Sequence, residues 1–189
     1  MGALDLEEQE LRFLENKGSK PVNVKRQEVE IERTYLCKNL ADVEKHGTLS
    51  HYVEHYYFNV GGEIVRMVDK YIRKKDPKHT YKKLVKKTIS GTKRLEMTDT
   101  VSKVFFDHYL QEHKDQLIGI TYNTVYKMEN DQGVVLVRRF PNGKTIITGE
   151  QEFPSEEAAK NFKVPEWGVR DVTDDQKYRG YQMSIDNFV

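Results

Sequence analysis

The chain has 189 residues, with 31 Lys and Arg against 30 Asp and Glu, for a formal net charge of +1. That length suits one domain with a small appendage, and the charge balance excludes whole-molecule steering of one sign. Aromatic residues make up 11%, too many for a disordered chain, and the single cysteine, Cys37, excludes an intrachain disulfide.

Residues 4–17 predict a short polar helix with a thin stripe of Leu6, Leu11 and Leu14, ended by Gly18-Ser19-Lys20-Pro21. Residues 1–21 therefore read as an arm or docked helix, and 22–189 as the main domain. From Val22 the period becomes two. Val29, Ile31, Arg33 and Tyr35 share one strand face, and Glu28, Glu30, Glu32 and Thr34 share the other. Cys37 closes this apolar-rich stretch and reads as a buried core thiol. A short helix is expected over Leu40–Lys45. His51–Val60 and Ile64–Tyr71 predict strands joined through Gly61-Gly62, and Lys82–Ile89 and Lys93–Thr100 a second pair joined at Ser90-Gly91-Thr92. Val101, Val104, Phe105, Tyr109 and Leu117 predict a helix over 101–117. Ile118–Met128 and Val134–Phe140 form the next hairpin, turning at Asp131-Gln132-Gly133. Pro141-Asn142-Gly143 turns into a strand over Lys144–Phe153, and Ser155 caps a helix that ends before Pro165. The chain from Val172 reads as irregular.

About eight hairpin-linked strands with inserted helices, no βαβ repeat and no glycine-rich phosphate loop predict a mainly β (α+β) fold. The expected architecture is a closed or nearly closed antiparallel barrel with peripheral helices. Charges fall on strand faces opposite apolar ones: Glu28, Glu30 and Glu32 in one strand, Glu150 and Glu152 in another, Arg94 and Glu96 in a third. If helices cover the apolar faces, the charged faces point into the barrel. A channel lined by carboxylates and guanidinium groups suits a polyphosphate, with bases on phosphoryl oxygens and paired carboxylates on Mg2+ or Mn2+.

Glu30-Ile31-Glu32-Arg33, then Tyr35-Leu36, resembles the opening signature of the CYTH, or triphosphate tunnel metalloenzyme, family. Its carboxy-terminal stretch resembles Glu150-Gln151-Glu152-Phe153-Pro154-Ser155-Glu156-Glu157-Ala158, Phe162, Pro165, Trp167-Gly168, Val172-Thr173-Asp174 and Tyr178. The resemblance spans residues 28–183. It implies an eight-stranded antiparallel tunnel and hydrolysis of an inorganic, nucleoside or thiamine triphosphate with Mg2+ or Mn2+. It implies metal ligands Glu30, Glu32, Glu150 and Glu152, catalytic Glu30, Glu32, Lys87 and Arg94, and substrate contacts Arg66, Lys87 and Arg94; Arg138, which the pattern lacks, is added as a further substrate contact on its charge alone. Where the family pattern has a base or acid, this chain has Thr34, Val68, Thr98, Asn123, Val125 and Arg138, and where it has an asparagine, Gly180. Arg138, expected on the Leu136 face, exchanges an acid for a base. These departures set a second reading beside the triphosphatase: a non-catalytic phosphate-binding or interaction protein on the same fold.

His46, His51, His55, His79, His108 and His113 offer no compact zinc set and read as surface or packing residues. Tyr52, Tyr56 and Phe58 read as packing, and Trp167 as a packing anchor. The basic run Lys70–Lys87 reads first as a solvated hairpin tip and second as a surface for nucleic-acid phosphates. No apolar run approaches the ~18 residues of a membrane span. Met1-Gly2-Ala3 begins neither a signal pattern nor a myristoylation pattern, so the expected location is cytoplasmic with no membrane partner. The sequence leaves the oligomeric state open.

Overall fold

The structure, a computed structural model, describes residues 25–72, 78–90 and 92–188. The helix expected over 4–17, Arg73-Lys74-Lys75 and Gly91 lie outside these residues. Among the described residues nine strands form one antiparallel sheet in the order β5-β4-β3-β2-β6-β7-β8-β1-β9, and an added β5–β1 pairing closes the first eight into a barrel. The strands are β1 (Lys25–Cys37), β2 (Gly47–Val60), β3 (Glu63–Tyr71), β4 (His79–Ser90), β5 (Lys93–Val101), β6 (Leu117–Met128), β7 (Val134–Arg139), β8 (Thr145–Glu152) and β9 (Gly168–Asp171).

β1 closes the barrel by dividing its length. Lys25–Ile31 pair with β5, and Glu32–Leu36 pair with β8. Beyond the end of β5, the short β9 takes up Tyr35–Cys37. Two helical crossings replace hairpins. α1 (Leu40–His46) joins β1 to β2, and α2 (Lys103–Glu112) joins β5 to β6. Each is capped by a side-chain oxygen, Asn39 accepting from the Asp42 amide and Ser102 from the Phe105 amide, which satisfies an orphan donor of the first turn.

The helices cover the outer faces of the strands. α1 places Val43 in a cluster with Tyr35, Cys37, Met128, Val135, Val137 and Trp167. α2 packs Phe106 and Tyr109 on Phe58, Val65 and Met67. This coverage is what turns the charged faces of β1, β5 and β8 inward. Tyr35 lies over Gly149 so closely that a Cβ there would stand 2.0 Å from the Tyr35 ring. Trp167 anchors the same layer by donating its indole N–H to the Tyr35 hydroxyl at 3.3 Å. Cys37 is a buried thiol, as its strand context predicts, and burial pushes its pKa up to about 12. Among the described residues no helix is long and apolar enough to cross a membrane.

Three sequence expectations change. α2 spans only Lys103–Glu112, because Val101 ends β5 and Leu117 begins β6. Its buried face carries Phe106 and Tyr109, while Val104 is exposed. The chain from Val172 is more regular than expected, with a helix α4 (Gly180–Asp186), and β9 precedes it where no strand was expected, following α3 (Glu156–Lys160). α4 has no side-chain cap and depends on tertiary contact, its Met183 and Ser184 being buried. Ser184 seats against Gly119, where a Cβ would meet its own at 2.5 Å.

Candidate functional site

The barrel encloses a cavity of about 860 Å³. Strand alternation decides its lining. Glu30 and Glu32 come from β1, Arg94 and Glu96 from β5, and Glu150 and Glu152 from β8. His51, Val53, His55 and Tyr57 come from β2, Arg66 from β3, Lys86 from β4, and Leu136 and Arg138 from β7. Arg179, just before α4, completes the wall beside β1.

Carboxylates gather where β1 and β5 pair. Glu28 lies directly opposite Glu96, and Glu30 opposite Arg94. One carboxylate oxygen from each of Glu28, Glu30 and Glu96 lies within 4.8 Å of the others. An all-oxygen donor set of this size suits a hard divalent cation. The cluster shares only Glu30 with the ligand set the sequence suggests. Glu32 and Glu152 face each other across the β1–β8 pairing, and Glu150 is engaged elsewhere.

Lys86 stands among the carboxylates. Its ammonium is 2.7 Å from Glu30 Oε2, 2.7 Å from Glu32 Oε2 and 4.0 Å from Glu96 Oε2. Burial opposes charge on Lys86, but Glu32, Glu30 and Glu150 outweigh it and raise its pKa. Burial likewise opposes ionisation of Glu32, yet Lys86 and Arg94 hold its carboxyl below the ordinary value. Glu30 goes the other way, since desolvation exceeds the help from Lys86 and its pKa rises.

Bases line the rest of the wall. Arg94, 2% exposed, approaches Glu32 at 3.9 Å, and Arg66 approaches Glu96 at 3.9 Å. Arg138 faces inward with Leu136, as alternation predicts; it donates to Glu150 Oε1 and, through Nε at 3.1 Å, to Thr148. Lys87 borders the cavity at its mouth. It sits at the rim, more than half exposed, paired with Glu63 at 2.7 Å. Its neighbour Lys86 reaches the carboxylates, because successive strand residues point to opposite faces.

Several cavity residues were not offered as site candidates from the sequence, among them Lys86, Arg179, His51, His55 and Tyr57. Glu96 was legible as the same-face partner of Arg94. His55 was read as a surface or packing residue, but it lines the cavity and is 6% exposed. Burial, then Arg66 and Arg138, push its pKa well down, so it is neutral at neutral pH. Val68 and Val125 pack with Val53 and Leu136 into a small apolar cluster on the opposite wall.

No protein-family model matches the sequence, and no curated protein matches it. Among solved structures, the inorganic triphosphatase NE1496 aligns with a TM-score of 0.52 and 19% identity, covering 82% of this chain and 94% of that one. A second crystal structure of NE1496, described as a hypothetical protein, aligns with a TM-score of 0.49 and 20% identity, covering 82% of this chain and 97% of that one. At such identities the first likeness is one of fold: an antiparallel tunnel barrel with helices outside.

Proposed function

We propose that the tunnel binds a triphosphate-bearing molecule and hydrolyses its terminal phosphoryl group with the help of Mg2+ or Mn2+. The observation that supports this reading is the charge pattern of the cavity. Its lining carries six carboxylates (Glu30, Glu32, Glu63, Glu96, Glu150, Glu152) and six bases (Arg66, Lys86, Lys87, Arg94, Arg138, Arg179). A balanced wall exerts little net pull on a bare polyanion. It suits a polyphosphate accompanied by a divalent cation, since cation and anion then find complementary partners.

Glu28, Glu30 and Glu96 would hold the cation, with Glu32 alongside. Bound there, it would supply charge neutralisation at the phosphoryl group and an activated water. Arg66 and Arg94 would contact phosphoryl oxygens, with no rearrangement of the strands that carry them. Arg138, fixed by Glu150 and Thr148, would present its remaining N–H groups to the same anion. Glu32, kept ionised by Lys86 and Arg94, would keep the wall negative at neutral pH.

The test is phosphate release from tripolyphosphate, ATP, GTP and thiamine triphosphate, each with Mg2+ or Mn2+. Turnover of at least one substrate is expected, with loss in Glu30→Ala/Glu32→Ala. No release above that double variant removes the hydrolase reading for these substrates.

One observation favours a non-catalytic binder: Arg138 engages Glu150 and so withdraws a carboxylate that the resemblance assigns to metal. Calorimetric titration with tripolyphosphate, with and without EDTA, separates the readings. Metal-independent binding without turnover is the signature of the binder.

A further inference from the structure

We infer that Lys86 is a tethered counter-ion that a divalent cation must displace, so that cation and polyphosphate binding assist each other. The inference rests on the proposed metal-and-phosphate site and concerns how that site loads.

The geometry supplies the argument. Lys86 is placed by β4 opposite Glu96 of β5, and its side chain crosses β5 to reach β1. One ammonium therefore touches Glu30 and Glu32 at 2.7 Å each and stands 4.0 Å from Glu96. Two of the three carboxylates that could hold a cation, Glu30 and Glu96, lie within its reach. An ammonium and a divalent cation compete for the same oxygens, because both are hard cations that gain from the same negative charge. In the barrel without ligand Lys86 holds the advantage of being covalently attached.

Displacement leaves Lys86 charged and inside a narrow channel. Arg94 and Arg66 crowd the same wall, so the released ammonium gains most from an anion in the cavity. A polyphosphate offers that anion. Cation binding thus creates a phosphate-binding base, and phosphate binding removes the cation's competitor. Linkage makes the two effects equal in size. The same swap keeps a cation against Glu30 and Glu32 at every stage, Lys86 until the divalent ion arrives.

The experiment measures Mn2+ binding to the full chain by electron paramagnetic resonance titration, with no anion other than buffer chloride. Wild type is compared with Lys86→Met and Lys86→Gln, each checked for folding by circular dichroism. Both variants should bind Mn2+ at least about tenfold more tightly than wild type, equivalent to 1.4 kcal/mol. In EDTA, both should show lower stability than wild type, recovered on adding Mn2+.

Equal Mn2+ affinity in wild type and both variants overturns the inference and leaves the metal site standing. Weaker binding in the variants also overturns it, showing that Lys86 organises the carboxylates instead of competing for them. No Mn2+ binding to any of the three proteins overturns the metal-site reading itself. Lys86→Gln keeps a hydrogen-bonding group among the carboxylates, so it answers the question if Lys86→Met fails to fold.

Discussion

Replacing Arg138 with Met tests whether the inward ion pair organises the tunnel wall. Arg138 is 3% exposed, and its guanidinium reaches both Glu150 and Thr148. Methionine keeps much of the apolar stem and removes the charge. The lost bond to Glu150 is charge-assisted and contributes about 1.5–3 kcal/mol, and the bond to Thr148 about 1 kcal/mol. Water moderates the stranding of Glu150, whose side chain is 32% exposed. A net destabilisation of about 3 kcal/mol follows, which for a chain of this size lowers Tm by roughly 6–12 °C. Glu150→Gln should be at least as damaging, since it leaves the more deeply buried partner without its counter-ion. Removing both charges should therefore cost about 2 kcal/mol less than the sum of the single variants. Thermal denaturation of all four proteins closes this cycle. Additivity within about 0.5 kcal/mol would refute the pairing, and with it the view that Arg138 withdraws Glu150 from metal binding.

Glu96→Gln should weaken Mn2+ binding about tenfold while Glu152→Gln changes it much less, measured by the same resonance titration; the reverse order would return the ligands to the set suggested by sequence. Stability should fall on acidification below pH 6.5. Burial holds the folded-state pKa of His51 to about 4 and that of His55 well below 6.5, so the unfolded chain takes up the protons first. Melting curves from about pH 7 to 5 should show this slope flattened in His51→Asn/His55→Asn; below 4.5 the depressed carboxyl of Glu32 adds its own loss. Gly149→Ala should destabilise the fold by about 3 kcal/mol in urea melts, because the added Cβ meets the Tyr35 ring at 2.0 Å. Cys37, with its thiol raised to about 12 and buried, should react with an aromatic disulfide reagent only at the rate of unfolding, as read by absorbance.

The barrel was legible because β1 alternates and β8 ends on same-face Glu150 and Glu152. An apolar set of Ile31 and Tyr35 opposite Glu30 and Glu32 has two faces that cannot share one environment. Inserted helices, one of them announced by the capping Ser155, say what covers the apolar side. β9 was hidden by its length of four residues and its opening glycine. α4 was hidden because it opens on Gly180 without a cap; the contact that holds it, Ser184 against Gly119, joins residues far apart in sequence. In α2 the apolar count ran past both ends into strand residues, which carry the same side chains for a different reason.

The site was harder to read for one physical reason: in a strand, parity is everything. Lys86 and Lys87 are chemically identical neighbours, and a shift of one residue moves the charge from the tunnel to the rim. Only the partner strands settle it, by placing Lys86 opposite Glu96 and Lys87 opposite Leu95. The same partner strands give the departures from the family pattern a common sense. Val68 and Val125, standing where that pattern has bases, pack with Val53 and Leu136, so the wall on that side gives up charge for apolar contact. Arg138, standing where the pattern has an acid, lies among carboxylates and pairs with one of them. Set beside that pattern, β3 keeps Arg66 and lacks a second base, β6 has none of its bases, and β7 carries one more. A phosphate chain in this tunnel would therefore be drawn toward Arg66, Lys86, Arg94 and Arg138 and away from the apolar cluster. An arginine placed at Val125 should lower stability in thermal melts, because it breaks the apolar contact with Val53, Val68 and Leu136.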